Sequence, residues 1–232
     1  MSVQLISVSQ PVYGAFTDPS HGGKISMTPE DMIAYCARVS NPTNQLNTET
    51  SSKLLAYCVK NQHWSVFEMV NVVFEINTTR DIARQILRHR SFSFQEFSQR
   101  YADPTKDLDF VVREARLQDK KNRQNSIEVD DKRLQEEWSW RQTKVKSEAM
   151  TQYQWAIENG IAKEQARVVL PEGLTESRLY MNGTLRSWVH YLGLRSANGT
   201  QLEHQDIARA CAKVISEIFP ICQDIASVDS AQ

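Results

Sequence analysis

From Val66 to Asn77 the chain reads VFEMVNVVFEIN, and within it Val70, Val72, Phe74 and Ile76 alternate with Asn71, Val73, Glu75 and Asn77. Two-residue alternation puts each set on its own face of an extended strand, so the segment predicts a core strand with one face partly solvated. The period then changes at once. Thr78 or Thr79 caps a helix whose Ile82, Ala83, Ile86 and Leu87 turn inward, while Arg80, Arg84 and Arg88 recur every four residues on the opposite side.

The rest of the chain must supply the partners of that strand. Val3 to Ser9 reads as a short strand, with Val3, Leu5, Ser7 and Ser9 on one face and Gln4, Ile6 and Val8 on the other. Pro11 to Ser26, containing Gly14, Pro19, Gly22 and Gly23, is turn chemistry. Thr28-Pro29-Glu30-Asp31 opens a helix with a cap, a proline at the first position and acids at the positive end of the dipole; Met32, Cys36 and Val39 form its expected stripe. A second helix runs from Ser51 or Ser52 to about Asn61.

Residues 103 to 131 are polar, and they predict a strand fragment at Phe110-Val111-Val112 followed by a mobile insertion over about 113–131. From Arg133 to about Asn159, Leu134, Trp138, Val145, Ala149 and Ala156 recur near a helical period, and Gly160 marks the end. Trp138, Trp140 and Trp155 on this helix are expected in the core or at subunit contacts. A turn near Gln165, a strand from Leu174 to Met181, a helix from Thr184 to Leu194, a loop from Ser196 to Gln201 and a last helix through Ile207, Cys211, Val214 and Ile218 complete the pattern. Separated strands and long helices without regular βαβ alternation predict one α+β domain over 1–232, with a mixed, mostly antiparallel sheet flanked by long helices.

Charge narrows the function. The 232 residues carry 27 basic and 28 acidic side chains, whereas a dedicated nucleic-acid binder needs a strong positive excess, so any anion site must be local. No apolar run approaches the ~20 residues that span a bilayer, and Met1 to Gln10 lacks the basic and apolar regions of an export signal; a soluble, cytoplasmic protein is expected. Cys36, Cys58, Cys211 and Cys222 form no Cys-x-x-Cys pair, and no His/Cys/acid set has zinc spacing, so no metal is expected.

The segment from Arg88 to Tyr101, RHRSFSFQEFSQRY, holds the local cluster. If extended, it points Glu96, Ser98 and Arg100 to one side and Gln95, Phe97, Gln99 and Tyr101 to the other. Between Arg84 and Arg100 only Glu96 is negative, so these guanidinium groups want anions from elsewhere, and arginine forks onto phosphate or carboxylate. Arg167, in an apolar stretch, wants a partner for the same reason. No Gly-x-Gly-x-x-Gly or P-loop is present. One reading from another class is a single-stranded nucleic-acid module using Arg84, Arg88, Arg90 and Arg100 with Phe92, Phe94 and Tyr101.

Arg88-His89-Arg90, seven residues and then Ser98 closely resembles the signature of the flavin-dependent thymidylate synthases. Gln85 before it, Arg38-Val39-Ser40, His63-Trp64-Ser65-Val66-Phe67-Glu68, Ala166-Arg167-Val168-Val169-Leu170-Pro171, and Leu185-Arg186-Ser187 through His190 to Arg195, Gln201 and Glu203 are similar to further stretches of that family in the same order. The resemblance implies methylation of dUMP to dTMP, with methylenetetrahydrofolate as one-carbon donor and FAD passing hydride from a reduced nicotinamide, NADPH. It assigns Ser65, Arg88, His89, Arg90, Glu96, Arg186 and His190 to the flavin, and Gln85, Arg88, Glu96, Ser98, Arg100, Arg167 and Arg195 to dUMP. Arg195 beside the uracil ring is the catalytic candidate, Ser98 is a phosphate contact rather than a nucleophile, and a homotetramer with sites at its subunit interfaces is implied.

Overall fold

The protein is described from a computed structural model covering residues 1–17 and 21–222; Pro19 of the first turn lies outside the described residues. The alternating run forms the central strand β2 (Asn71–Thr79), with Val72, Phe74, Ile76 and Thr78 all buried on one face. β1 (Ser2–Val8) pairs antiparallel with it on one side and β6 (Glu176–Thr184) on the other, and β3 (Ser93–Glu96) closes the order β1-β2-β6-β3. Every pairing is antiparallel, and the far face carries polar pairs such as Tyr180 Oη donating to Glu75 at 2.7 Å.

Helices cover the apolar face. α1 (Pro29–Ala37), α2 (Ser51–Lys60), α3 (Arg80–Ile86), α7 (Leu185–Ser196) and α8 (Leu202–Ile218) all contribute to the main hydrophobic core. A smaller cluster around Tyr153, Ala156, Ala166 and Leu170 joins the long α5 (Lys132–Glu158) to the one-turn α6 (Lys163–Ala166). A further single turn, α4 (Pro104–Asp107), and a separate hairpin of β4 (Arg116–Gln118) and β5 (Ser126–Glu128) complete the elements. All four cysteines are free thiols.

Several expectations are corrected. A bulge between Leu5 and Ser7 switches faces in β1, so Val8 rather than Ser7 joins Val3 and Leu5 against the core. Residues Trp64–Met69 form a 3₁₀ turn instead of the start of β2, because a three-residue period places Trp64 and Phe67 together on the core side. α1 caps as expected, with Thr28 and Asp31 in a reciprocal box, but Ile33 and Ala34 are its buried apolar residues. Val39 lies outside the stripe because the helix stops at Ala37, where Arg38 turns its guanidinium to the Asn47 carbonyl and the Thr50 hydroxyl.

The insertion over 113–131 is structured. Gln142 accepts from the Arg113 N–H at 3.0 Å and donates to its carbonyl at 2.7 Å, while Gln135 does the same for Ala115 at 2.7 and 3.0 Å. Two glutamines of α5 thus act like rungs of a strand ladder, a role that hydrophobic periodicity cannot reveal. The tryptophans of α5 are not core residues: Trp138, Trp140 and Trp155 stay 43%, 49% and 56% exposed.

Close approach fixes one glycine. A Cβ at Gly183 would sit 2.4 Å from Cδ1 of Phe92, whose ring lies edge-on against Trp188 with centroids 4.9 Å apart. Gly183→Ala is expected to destabilise the fold by about 1–3 kcal/mol through overpacking, read as a lower Tm. An unchanged Tm would mean that Phe92 gives way freely.

Candidate active site

Most of the candidate site residues lie on or beside α7. Thr184 accepts from the Ser187 N–H at 3.2 Å and starts the helix, and the fully buried Trp188 donates its indole N–H to the Val72 carbonyl at 3.0 Å. That bond pins the helix to the central strand. Arg186, His190 and Arg195 consequently lie outside the buried stripe formed by Leu185, Trp188, Val189, Tyr191 and Leu192.

Two segments dock along this helix. The turn Trp64–Met69 approaches its start, where Glu68 pairs with Arg186 at 2.8 Å and Trp64 meets the His190 ring edge-on at 4.9 Å, with Ser65 exposed between them in sequence. Burial, and then the Arg186 charge, lowers the pKa of His190. The Arg88-His89-Arg90 segment lies along the other side. Ser187 Oγ donates to the Ser91 carbonyl at 3.1 Å, and Arg195 Nε donates to His89 Nε2 at 2.8 Å. His89 Nε2 must therefore be unprotonated, in keeping with a pKa lowered to about 4 by burial and by the Arg195 charge.

The bond to His89 spends only the Nε of Arg195, leaving its terminal fork without a hydrogen-bond partner among the described residues. Arg88 and Arg90 are exposed and likewise make no ion pair or side-chain hydrogen bond among the described residues. α3 ends at Ile86, so Arg88 does not share the helix face of Arg80 and Arg84.

The strand-face reading of Glu96, Ser98 and Arg100 does not hold. β3 stops at Glu96, and the chain turns, with the Tyr101 and Ala102 N–H groups both donating to the Ser98 carbonyl at 3.1 Å. Glu96 accepts from Ser177 at 2.8 Å and lies 3.8 Å from Arg80. Ser98 Oγ receives only a long bond, 3.4 Å, from the Arg100 N–H, with no base to activate it among the described residues. The expected shortage of acids is also corrected by tertiary structure, since Glu172 reaches Arg84 at 2.5 Å and Glu164 reaches Arg100 at 3.3 Å. Half-buried Arg167 lines a cleft of about 390 Å³ together with Arg80, Arg84 and Gln99.

Two groups of residues result. One surrounds α7 and holds Gln85, His89, Arg186, His190 and Arg195; the other surrounds α6 and holds Glu96, Ser98, Arg100 and Arg167. No side-chain hydrogen bond or ion pair joins them among the described residues. The nucleic-acid surface is not assembled either: Phe92 is buried against Trp188, and Arg84 and Arg100 are already paired.

Tyr191 and His204 were not singled out by sequence reasoning. His204, fully buried, lies 3.0 Å from Tyr191 Oη and 3.2 Å from Gln85 Oε1, and burial, aided by the Arg195 and His89 charges, lowers its pKa to about 3. In sequence both resemble ordinary core positions of two amphipathic helices, and only their packing reveals a polar path. The described residues contain no cluster of His, Cys, Asp and Glu suited to a metal ion, and none of their helices is long and apolar enough to cross a membrane.

The chain is similar to known proteins over most of its length. The family model described as "Thymidylate synthase complementing protein" matches residues 25–221. The chain is 47% identical to the "Probable flavin-dependent thymidylate synthase" of Paramecium bursaria Chlorella virus 1 and 46% identical to the flavin-dependent thymidylate synthase of Synechocystis, in each case over 95% of this chain and 96% of the relative. The solved UMP/dUMP methylase PolB from Streptomyces cacaoi, bound with 5-Br dUMP, shares the fold with a TM-score of 0.78 over 97% of this chain and 94% of its own, at 22% identity. The chain belongs to the flavin-dependent thymidylate synthase family.

Proposed function

We propose that this enzyme methylates dUMP to dTMP, with FAD as bound cofactor and with methylenetetrahydrofolate and NADPH as co-substrates. The observation that carries the reading is the Arg195 fork, held by neutral His89 at 2.8 Å, whose terminal nitrogens have no partner among the described residues and are open to a ligand. The PolB complex with a dUMP analogue and the names of the curated relatives support the substrate and the flavin.

The donor set suits an anionic dinucleotide. Arg88 and Arg90 are exposed cations with no carboxylate partner among the described residues, on the segment docked beside α7, and Arg186, His190 and Ser65 lie on or next to that helix. Guanidinium groups bind a pyrophosphate by charge-assisted forks. Bound flavin would supply the hydride that side chains cannot. The residues here bind, orient and polarise. Arg195 lies against the pyrimidine and stabilises negative charge developing on its ring. Gln85 contacts the nucleotide, while Ser98, Arg100 and Arg167 take its phosphate, with Arg100 exchanging Glu164 for the ligand. Glu96, fixed by Ser177, borders both flavin and substrate.

The α7 and α6 groups form a complete site only when brought together, and we assign that step to a homotetramer whose subunits share sites. Trp138, Trp140 and Val145, exposed on α5, and Val168, 84% exposed beside Arg167, offer apolar surface for such contacts.

The purified protein is expected to show oxidised-flavin absorbance and to form dTMP from dUMP only with both co-substrates present. Arg88→Ala and Arg90→Ala should each weaken flavin binding by about tenfold or more, the size of one lost charge-assisted hydrogen bond. Unchanged affinity in both would remove them from the cofactor site. Arg195→Lys keeps the charge but loses the planar fork, so turnover of dUMP should fall while flavin absorbance remains; wild-type turnover would take Arg195 out of the chemistry.

The histidines also predict a pH dependence. Their folded pKa values, about 4 for His89 and about 3 for His204, lie below the ordinary 6.5. On acidification the unfolded chain takes up protons first, so their full contribution to stability is present above about pH 6.5 and is lost as the pH falls toward 4. The Tm should drop between pH 7 and pH 5 while nuclear magnetic resonance still shows both imidazoles neutral. A flat Tm with both rings protonated at pH 5 would contradict this.

A further inference from the structure

Gln85 is held by a path of side chains with one direction. Its Nε2 donates to Gln201 Oε1 at 2.8 Å, Gln201 Nε2 donates to Glu203 Oε2 at 2.9 Å, and Glu203 Oε1 accepts from Arg116 at 2.6 Å. Since the amide nitrogen of Gln85 faces Gln201, its oxygen faces His204 Nδ1 at 3.2 Å, and that nitrogen must carry the proton. His204 Nε2 is then an acceptor, and the Tyr191 hydroxyl donates to it at 3.0 Å. Every donor from Tyr191 onward points toward the Glu203 carboxylate, which the Arg116 guanidinium of the hairpin holds from the other side. Burial keeps His204 neutral, as this polarity requires.

A glutamine amide has two N–H donors and two oxygen lone pairs. The path uses one of each and leaves one of each for a ligand. Without a fixed neighbour the amide could turn over and exchange the two. We propose that Glu203, a carboxylate that can only accept and so fixes Gln201, is the positioning residue that sets the orientation of the Gln85 amide, with His204 taking the matching tautomer, and hence the order of donor and acceptor that Gln85 presents to the pyrimidine nucleotide. This rests on the reading that Gln85 contacts dUMP. It also gives the polar hairpin β4–β5 a place in the site, since Arg116 anchors the far end of the path.

The test is dUMP binding to the flavin-loaded enzyme, with dTMP turnover followed in parallel. Glu203→Gln keeps the volume, but its amide oxygen must face the Arg116 donor, so its N–H faces Gln201, and Gln201 and then the Gln85 amide turn over. Kd and KM for dUMP should rise by about tenfold with flavin content retained, and nitrogen NMR should show the His204 proton moved from Nδ1 to Nε2. Tyr191→Phe, which leaves the carboxylate end intact, should stay within about threefold of wild type. If Glu203→Gln does not fold, Gln201→Met, which breaks the link at a half-buried position, carries the test with the same expected rise. Wild-type dUMP affinity in the variant tested, or a loss in Tyr191→Phe as large as in that variant, overturns the proposal while leaving the Gln85 contact standing. Wild-type affinity in Gln85→Ala would remove that contact and this proposal with it.

Discussion

The bond from the Trp188 indole to the Val72 carbonyl is the contact on which the remaining geometry depends. It is made in a fully buried place by a strand that already spends its other backbone groups on its two neighbours, and it fixes both the depth and the rotation of α7 against the sheet. Phe74 and Phe92 close on the same indole at 5.0 and 4.9 Å, and Gly183 leaves the space that Phe92 needs. With that helix fixed, Arg186, His190 and Arg195 have only one way to face, and the segments carrying Glu68 and His89 are placed by their contacts to it.

A second constraint is electrostatic. The protein carries many arginines at near-neutral net charge, and it pairs some of them and not others. Arg84, Arg100, Arg113, Arg116 and Arg186 each have a carboxylate, in most cases from a remote part of the chain. Arg88, Arg90 and the fork of Arg195 are left open among the described residues. Arg195 is aimed by an imidazole instead of a carboxylate, so it is held in place without losing its positive field to a counter-charge. An acid in the position of His89 would hold the same geometry and cancel much of the charge offered to a developing anion.

Much of the fold was legible in the sequence because burial imposes a period. The alternation from Val70 to Ile76, the Thr28-Pro29 start of α1, the extent of α5 and the buried stripe of α8 all follow from which residues avoid water. Where polar groups carry the structure, periodicity is silent. The segment at 113–115 is ordered by Gln135 and Gln142 bonding to its backbone, and the turn after Glu96 follows from bonds to the Ser98 carbonyl that its alternating sequence conceals.

By itself, the sequence determined the antiparallel α+β character of the chain and the family signature from Arg88 to Ser98, since both reside in local spacing. Tertiary structure alone decided the partners. It brought Glu172 to Arg84 and Glu164 to Arg100 across long stretches of chain, set His89 beneath Arg195, and joined Tyr191, His204 and Gln85 through three different helices or their ends. The reason is physical: a hydrogen bond or ion pair depends on separations of about 3–4 Å in space, and residues far apart along the chain meet at that range only after the core has packed.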